Sequence, residues 1–360
     1  MKVAAFPRYA EMGASSRMRL MQYLPALRDK GIEVSVHPLL PDEYLRRKYA
    51  GRSTHRQVAR AYAQRAAALL GARRGADVWW IEKELWPWVP SILERFAWSG
   101  QRTVLDYDDA IFHNYDLHPS ALVRRLYGQK IDSLMRAATL VVAGNDYLAD
   151  RAHCAGARRV EILPTVVDTD RYPSQPRRHT TAGPLLIGWI GSPSTVGYMR
   201  RLAGPLAQLA RTRPVRLRLI GASVEMPGVP VEHIAWSESE EARTLSELDI
   251  GLMPLPDEPW ERGKCGYKLI QYMACGVPVV ASPVGANRRI VENGVQGFLA
   301  KTDAEWLAAL ETLAGDAETR QRFGRSGHDK VAREYSLHIA APRLAGWLHE
   351  LAGSAERGVA

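Results

Sequence analysis

Two lysines stand at the start of a predicted helix, where positive charge is normally unfavourable. Lys264 and Lys268 lie at the beginning of the run KCGYKLIQYMA, which predicts a helix over residues 265–274 with Gly276 as its C-terminal cap. A helix N-terminus carries partial positive charge and normally attracts Asp or Glu. A bound dianion would remove this conflict, because free backbone N–H groups and both ammonium ions would contact it. The alternative is that both lysines are simply solvated.

One edge of this helix is predicted to face a ligand. At about 100° per residue, a stripe roughly 60° wide holds Lys264, Lys268, Gln271 and Cys275. Leu269 lies on another side, from which it can pack inward. The preceding loop PLPDEPWERGKCG is rich in Pro and Gly, a composition found in loops that line sites. We therefore expect the stripe to line a site for a dianionic group.

Short loops of small residues follow the first strand of each half of the chain. Small residues allow close approach to the backbone, and hydroxyl and N–H groups bind phosphate or sugar oxygens. Neither loop matches a GxGxxG or P-loop pattern. An ordinary strand-to-helix turn with an N-cap serine is therefore the favoured alternative for each loop taken singly. The loops supply Gly13, Ala14, Ser15 and Arg17 in the first half, and Gly191 and Ser192 in the second.

Carboxylates cluster at the ends of two predicted strands. Asp106, Asp108 and Asp109 end the strand TVLDYDD, and Glu82 and Glu84 follow DVWWI. Such groups bind a metal, act as a base or orient hydroxyls. For at least one of the three aspartates, capping the next helix is the preferred interpretation. The sequence contains no HxxxH, GxSxG or cysteine-nucleophile pattern, so we expect no metal and no other cofactor.

Apolar strands alternate with amphipathic helices along most of the 360 residues, which predicts parallel α/β domains. A Pro-, Thr- and charge-rich stretch from Leu163 to Pro184 indicates a domain boundary. We therefore predict a first Rossmann-like domain over residues 1–165, a linker over 166–183 and a second over 184–340. A C-terminal helix over 341–360 is a candidate for returning to the first domain. Ligands of open sheets bind at the carboxyl ends of strands, so a cleft is expected there.

The formal net charge of +9 is concentrated in one segment. Nine Arg or Lys and no acidic residue occur over 44–76, and Arg52, Arg56 and Arg60 recur every fourth residue. Such a helix lies on anionic lipid or is simply solvated. We predict that Arg46–Arg74 contacts an anionic membrane surface. Nucleic acid is the weaker alternative, because no recognition motif accompanies the charge.

Cysteine content and hydropathy bear on location. Cys154, Cys265 and Cys275 form no CxxC pair, which favours a reducing compartment. We recognise neither a signal peptide nor a membrane span. The sequence thus predicts a cytoplasmic protein, peripheral on the inner face of the cytoplasmic membrane through its basic segment.

The stretch KLIQYMACGVPVVASPVGANRRIVENGVQGFL resembles the donor-site signature of retaining glycosyltransferases with the GT-B fold, of the large family 4 class. ILPTVVDTDRY is similar to the interdomain segment of that family, and LLIGWIGS and VRLRLIG are similar to its first two C-domain strands. The resemblance is strong in the second half and looser in the first. It implies two doubly wound Rossmann-like domains (GT-B fold) facing a central cleft, and a nucleotide-diphosphate-sugar as donor.

The resemblance also implies roles for individual residues. Gln271 stands where the family has the second Glu of an E-x7-E pair, which binds the donor ribose, and Gly263 stands at the first. Asp108 lies where many members carry a His near the reaction centre. The implied catalytic residues are Lys264, Lys268 and Asp108, and the implied donor-binding residues are Gly191, Ser192, Lys264, Tyr267, Lys268, Leu269 and Gln271. The loop after the first strand and the strand-end carboxylates, rather than the resemblance, supply the predicted acceptor or cleft residues, which are Gly13, Ala14, Ser15, Arg17, Glu84 and Asp109.

The sequence thus predicts a hexosyltransferase-type enzyme that moves a sugar to a hydroxyl group with retention of configuration. The basic segment favours a lipid-linked or polysaccharide acceptor of cell-envelope assembly. Two alternatives stay open: a nucleotide-sugar epimerase on the same fold, and a non-catalytic partner subunit that binds nucleotide-sugar. The missing Glu pair is what keeps the second alternative open.

Overall fold

A computed structural model describes residues 1–173, 175–176, 179 and 183–353. It divides into two compact units. The first unit contains Met1–Thr165, Gly263–Cys265 and the helix Leu337–Gly353, and the second contains Val166–Arg262 and Gly266–Ser336. Residues 174, 177–178 and 180–182 of the predicted linker, and residues 354–360 of the predicted C-terminal helix, lie outside the described residues.

The first unit is built on a six-stranded parallel sheet. Its strands are β1 (Lys2–Phe6), β2 (Glu33–Val36), β3 (Val78–Glu82), β4 (Arg102–Tyr107), β5 (Leu140–Ala143) and β6 (Val160–Ile162). They lie in the order β2-β1-β3-β4-β5-β6. β3 and β5 are buried at every residue, as expected of apolar strands covered on both faces.

Helices connect these strands. They are α1 (Ala14–Arg19), α2 (Leu24–Asp29), α3 (Asp42–Tyr49), α4 (His55–Gly75), α5 (Ser91–Ala97), α6 (His113–Asp116), α7 (Ala121–Tyr127), α8 (Lys130–Ala137) and α9 (Asp146–Cys154). α9 begins where Asn145 accepts a hydrogen bond from the Leu148 amide, which satisfies a free donor of the first turn.

The second unit repeats the same plan. Its strands are β7 (Leu185–Ile190), β8 (Val215–Ile220), β9 (Val231–Ile234), β10 (Ile250–Met253), β11 (Val279–Ala281) and β12 (Gly297–Leu299). They form a parallel sheet in the order β12-β11-β10-β7-β8-β9. Its helices are α10 (Ala203–Thr212), α11 (Glu241–Ser246), α12 (Pro259–Arg262), α13 (Tyr267–Ala274), α14 (Asn287–Ile290), α15 (Asp303–Gly315) and α16 (Ala317–Glu334). 3-10 helices cover Thr169–Arg171 and Val196–Leu202.

Local signals in the sequence set the ends of the long helices. Thr302 and Glu305 form a capping box that starts α15, and Asp316 accepts two amides at the start of α16. The last helix, α17 (Leu337–Gly353), groups with the first unit. There Arg343 donates a hydrogen bond to the carbonyl of Ile162 at 3.0 Å.

The predicted α/β class with two doubly wound sheets is confirmed. Three details differ from the sequence prediction. The apolar spacing of Leu20, Leu24 and Leu27 predicts one helix over residues 18–28, whereas the structure has α1, a 3-10 turn (Met21–Tyr23) and α2 there. The short strand β6 was not anticipated, and α17 begins at Leu337 rather than at residue 341. Among the described residues, no helix combines the length and apolarity needed to cross a membrane.

Candidate functional site

Lys268 of the second unit lies beside the loop that follows β7. Its ammonium nitrogen is 5.4 Å from the centroid of the Trp189 ring. A Cβ added to Gly191, the first residue after β7, would lie 2.5 Å from that ring and 3.0 Å from Lys268 Cε. The absence of a side chain at Gly191 therefore leaves room for both groups at the carboxyl end of the strand, where ligands of open α/β sheets bind.

The helix that carries Lys268 begins later than the sequence predicted. α13 starts at Tyr267, because Gly266 adopts a left-handed conformation (φ 68°) that starts the helix. No side chain caps its N-terminus, and its first turn contains no acidic residue. Lys268 is the second helical residue, so its cation and the backbone N–H groups of the first turn lie at the same helix end.

The predicted stripe along this helix does not form. Lys264 precedes α13 and belongs to the first unit, where its ammonium is 3.7 Å from Asp109 Oδ1. Gln271 and Cys275 are buried rather than exposed along an edge. Gln271 is hydrogen-bonded to the phenol of Tyr172. The stripe was predicted on the assumption that the helix reached back to residue 265.

The remaining predicted donor residues have different surroundings. Leu269 is fully buried in the core of the second unit, and its backbone N–H donates a hydrogen bond to the carbonyl of Gly266 at 2.9 Å. Tyr267 is half-buried against the same core. Ser192 forms hydrogen-bond contacts with the hydroxyls of Ser194 (2.8 Å) and Thr195 (3.5 Å), which makes the loop after β7 rich in hydroxyl groups.

Gly263 and its neighbours are held by the first unit. Asn145 donates hydrogen bonds to the carbonyls of Gly263 (2.9 Å) and Lys264 (3.1 Å). A Cβ on Gly263 would lie 2.5 Å from Ala110 Cβ and 2.7 Å from Ala110 N. A glutamate is therefore excluded on steric grounds at this position, where the family resemblance led us to look for one.

The first unit contains a buried polar cluster around Lys83, a residue that was not among the predicted site residues. Its ammonium lies 2.8 Å from Asp108 and 3.6 Å from Glu82, and it donates a hydrogen bond to Ser15 at 2.9 Å. The Ser15 hydroxyl also lies within hydrogen-bond distance of the carboxylates of Glu82 (2.8 Å) and Asp108 (2.5 Å), which share its single proton. The structure thus brings two predicted site residues, Ser15 and Asp108, into direct contact. We call Ser15, Glu82, Lys83, Asp108 and Asp109 the lysine cluster.

Lys83 also has an unusual backbone conformation. Its φ is 67°, in the left-handed region that residues other than glycine rarely adopt. Such strain persists only where surrounding contacts fix it, and it concentrates at functional sites. A signal for Lys83 existed in the sequence: it is a single lysine between Glu82 and Glu84, just beyond the apolar run VWWI.

The charges of the lysine cluster shift the protonation of its two aspartates in opposite directions. Burial alone would raise the pKa of Asp108, but the Lys83 ammonium and the hydrogen bond from Ser15 lower it overall. Burial and the neighbouring charge of Asp108 raise the pKa of Asp109, although Lys83 and Lys264 oppose the rise. Asp108 is thereby kept ionised, whereas Asp109 accepts a proton more readily.

The expectation that an aspartate caps the next helix is wrong. α6 starts after Phe112 without a side-chain cap. Asp106 instead accepts a hydrogen bond from Arg19 at 2.8 Å beneath the cluster, and both are buried. Burial raises the pKa of Asp106 to about 6, and Arg19 counteracts it. The sequence could not show this pairing, because 87 residues separate the partners.

Glu84, expected to contact the acceptor, faces the interior instead. It accepts hydrogen bonds from Lys130 at 2.6 Å and from Tyr115 at 2.8 Å, and is 3% exposed. Lys130 is also 2.8 Å from the carboxylate of Glu94. Glu84 is therefore part of a buried ion network behind the strand ends.

The loop after β1 differs from an ordinary capped turn. Gly13 occupies the N-cap position of α1, and no side chain caps the helix, so the expected N-cap serine is wrong here. Ser15 belongs to the lysine cluster and Ala14 is exposed. Arg17 donates a hydrogen bond to the carbonyl of Glu11 at 2.9 Å.

The basic segment Arg46–Arg74 is not one helix. It is divided between α3 and α4, and Arg52 lies in the loop between them, so the predicted helical repeat holds only for Arg56 and Arg60. Both of these are exposed. Arg65 is buried, donates a hydrogen bond to the carbonyl of Pro7 at 2.7 Å, and has its pKa lowered by burial to about 9.

Comparisons with known proteins bear on the second unit most directly. Residues 186–316 match the family model described as "Glycosyl transferases group 1". A D-inositol 3-phosphate glycosyltransferase of Pseudarthrobacter chlorophenolicus is 31% identical over 155 residues, which cover 40% of this chain and 36% of that protein. The chain thus spans about a third of that relative's length.

Solved structures match over nearly the whole chain. HepE of Anabaena, solved in complex with UDP, has a TM-score of 0.71 at 16% identity and covers 97% of this chain and 100% of its own. The same protein has been solved with UDP-glucose, with the same score and identity. Sucrose-phosphate synthase of Thermosynechococcus elongatus has a TM-score of 0.72 at 14% identity, covering 98% and 100%. The chain therefore has the two-sheet fold of these proteins, the GT-B fold, and its residues 186–316 match the model of group 1 glycosyl transferases.

Proposed function

We propose that the protein is a retaining glycosyltransferase of the family 4 class, which transfers a hexosyl group from a nucleoside-diphosphate-sugar to a hydroxyl acceptor. The observation that carries the proposal is the environment of Lys268. It combines a helix N-terminus without a side-chain cap, an ammonium ion over Trp189 and the close packing of both side chains against the backbone of Gly191. All three lie within the segment that matches the group 1 family.

The chemistry of transfer requires positive charge at this helix end. The bond between sugar C1 and the diphosphate oxygen breaks, and a bond from C1 to the acceptor oxygen forms. Negative charge develops on the departing diphosphate, where Lys268 and the first N–H groups of α13 stabilise it. The leaving phosphate oxygen takes the proton of the acceptor hydroxyl on the same face of the sugar. No protein nucleophile is then required, and we propose that no metal is required either.

The lysine cluster is our candidate for acceptor binding. Asp108 is held ionised by Lys83, and Asp109 is 30% exposed in its side chain, between the ammonium ions of Lys83 (3.9 Å) and Lys264 (3.7 Å). Carboxylates in this setting orient hydroxyl groups. Because one relative is named for inositol 3-phosphate, a phosphorylated polyol is the first acceptor to test, followed by lipid-linked glycans of cell-envelope assembly.

One observation favours a second candidate, a non-catalytic nucleotide-sugar binder. Gln271 is buried against Tyr172, and Gly263 has no room for a side chain. Neither position therefore supplies the carboxylate that contacts the donor in the resembling family. This candidate predicts donor binding without turnover.

A transfer assay separates these possibilities. The full chain is incubated with UDP-glucose, with and without acceptors, in the presence of EDTA, and the products are followed by NMR. An α-linked product formed only with acceptor supports the proposal. Isomerised donor without acceptor indicates an epimerase. Binding of UDP-glucose without any product across the acceptor panel would favour the non-catalytic binder.

We also propose that the exposed cations of Arg46–Arg74 hold the protein at the cytoplasmic face of an anionic membrane. Arg56 and Arg60 are exposed on α4, and the segment 44–76 contains no acidic residue. Changing Arg52, Arg56 and Arg60 to Glu should then reduce sedimentation with anionic liposomes, most clearly at low salt. Unchanged sedimentation would contradict this contact.

A further inference from the structure

Helix α5 (Ser91–Ala97) has its polar and apolar faces reversed. Its only carboxylate, Glu94, is completely buried and lies 2.8 Å from the ammonium of Lys130. Its large apolar side chains point outward: Ile92 is 69% exposed and Phe96 is 75% exposed. A surface helix of a globular protein normally buries its apolar stripe and exposes its charges. The outward face of α5 therefore lacks the cover that its composition requires.

Helix α7 (Ala121–Tyr127) presents a second uncovered apolar stripe. None of its residues is buried. Leu122 and Leu126, one helical turn apart, are each 65% exposed. Residues four apart share one side of a helix, so the two leucines form one apolar edge.

Trp88 connects the two stripes. It lies three residues before α5, is 49% exposed, and packs edge-on against Tyr127 of α7 with ring centroids 6.3 Å apart. We define the apolar face by six side chains: Trp88, Ile92, Leu93, Phe96, Leu122 and Leu126. Large exposed apolar side chains concentrated on two such segments mark an interaction site rather than scattered surface residues.

The charged residues of the two segments that carry the apolar face are almost all positive. Residues 87–100 and 117–129 contain Arg95, Arg124 and Arg125, and their only acidic residue is the buried Glu94. Arg73, near the end of α4, donates a hydrogen bond to the carbonyl of Ser99 at 3.2 Å, two residues after α5. One cation of α4 therefore lies near the C-terminal end of α5.

We propose that the apolar face inserts into the headgroup boundary of an anionic bilayer, with the surrounding arginines contacting lipid phosphates. Apolar side chains that protrude between cations are the chemistry of an interfacial membrane contact. A second copy of the chain fits less well, because a symmetric pair would bring the same cations together. The inference rests on the proposed membrane contact, but it assigns the binding energy to apolar insertion rather than to the charges of Arg46–Arg74.

Vesicle flotation tests this inference. The full chain is mixed with vesicles of phosphatidylcholine containing phosphatidylglycerol, and with phosphatidylcholine alone, at low salt and at about 0.5 M NaCl. The triple variant Ile92→Ser, Phe96→Ser and Leu126→Ser is compared with Ile339→Ser, whose side chain is 46% exposed on α17 outside the face. We expect the triple variant to lose at least tenfold in partitioning to anionic vesicles, and Ile339→Ser to bind as the original chain does.

The outcomes separate the possible sources of binding. Insertion is supported if part of the original chain stays bound to anionic vesicles at high salt and the triple variant does not. Binding that the triple variant keeps overturns the inference. Binding abolished by salt and by the Arg52, Arg56 and Arg60 changes alone also overturns it, and leaves a purely electrostatic contact. A dimer that the triple variant converts to monomer, without vesicle binding, overturns it in favour of a protein interface.

Folding of the variants is checked by circular dichroism and thermal unfolding. If the triple variant unfolds, Phe96→Asp alone takes its place, because this most exposed side chain has little packing to lose. The same expectations apply to the single variant. None of these measurements uses donor turnover, so failure of the glycosyltransferase proposal and failure of this inference are distinguishable.

Discussion

Replacing Lys83 by methionine should destabilise the first unit strongly, in a manner that depends on pH. Methionine fills nearly the same volume as the lysine stem, so the change removes the ammonium and leaves little cavity. Lys83 is 4% exposed, and its loss leaves the carboxylates of Glu82 and Asp108 without their nearby cation. Removing one partner of a buried ion pair costs about 3–5 kcal/mol, which sets the expected loss in unfolding free energy near neutral pH.

The pH dependence follows from the direction of the pKa shifts. In the original chain the pKa of Asp108 is lowered, so its contribution to stability is present above its unfolded pKa and is lost as pH falls through the folded value. Without Lys83, burial dominates and the pKa of Asp108 rises above its unfolded value. The folded variant then binds a proton that the unfolded chain does not, so acidification partly relieves the destabilisation.

Urea unfolding followed by tryptophan fluorescence, near pH 7.5 and again near pH 5.5, measures both effects. Lys30→Met is the matched control, since Lys30 is exposed in the same unit. The difference between the original chain and Lys83→Met should shrink on acidification, while Lys30→Met should change little at either pH. A Lys83→Met loss below about 1 kcal/mol, or one independent of pH, would refute the role assigned to the lysine cluster.

Two glycine substitutions test the geometry of the second unit. Gly191→Ala places a Cβ 2.5 Å from the ring of Trp189, and the resulting shift should weaken UDP binding about tenfold, or about 1.4 kcal/mol, in a calorimetric titration. The control Gly197→Ala, whose Cβ meets only one atom at 3.9 Å, should bind UDP normally. Equal UDP affinities in the two variants would contradict the packing argument. Gly266→Ala should lower the unfolding free energy by more than Gly294→Ala. Both glycines have positive φ (68° and 82°), but only the Cβ at residue 266 would collide, at 2.2 Å, with a side chain of α14. Gly294→Ala should lower the unfolding free energy by about 1–2 kcal/mol from its φ alone, and equal losses of the two variants in urea unfolding would contradict the clash.

The two-sheet fold was predictable because its signals are local. Apolar runs such as VWWIE and VPVVAS alternate with amphipathic stretches, and most of the strands they predict form at those places. β6 was missed because three half-buried residues, Val160–Ile162, carry too little periodicity to distinguish a strand from a linker. α17 begins at Leu337, before the predicted start at residue 341, and Pro342 lies inside it.

The candidate site was predictable only in part. Lys268 and the loop at Gly191 follow from strand ends and charge patterns, which are local properties. Lys264 was misplaced because the left-handed Gly266 ends the helical path, and sequence periodicity carries no information on the sign of φ. Lys83 was overlooked because a lysine after a strand usually indicates a solvated surface. Its burial depends on Asp108, whose position only the folded sheet defines.

The central claim is that Lys268 and the N-terminus of α13 bind the diphosphate of a nucleotide-sugar donor. Calorimetric titration of UDP and UMP into the original chain, Lys268→Ala and the control Lys301→Ala, an exposed lysine of the same unit, tests it most directly. We predict that Lys268→Ala weakens UDP binding at least tenfold, about 1.4 kcal/mol, with a smaller effect on UMP, and that Lys301→Ala leaves both unchanged. UDP binding that Lys268→Ala leaves unaltered, or no UDP binding to the original chain, would contradict the account.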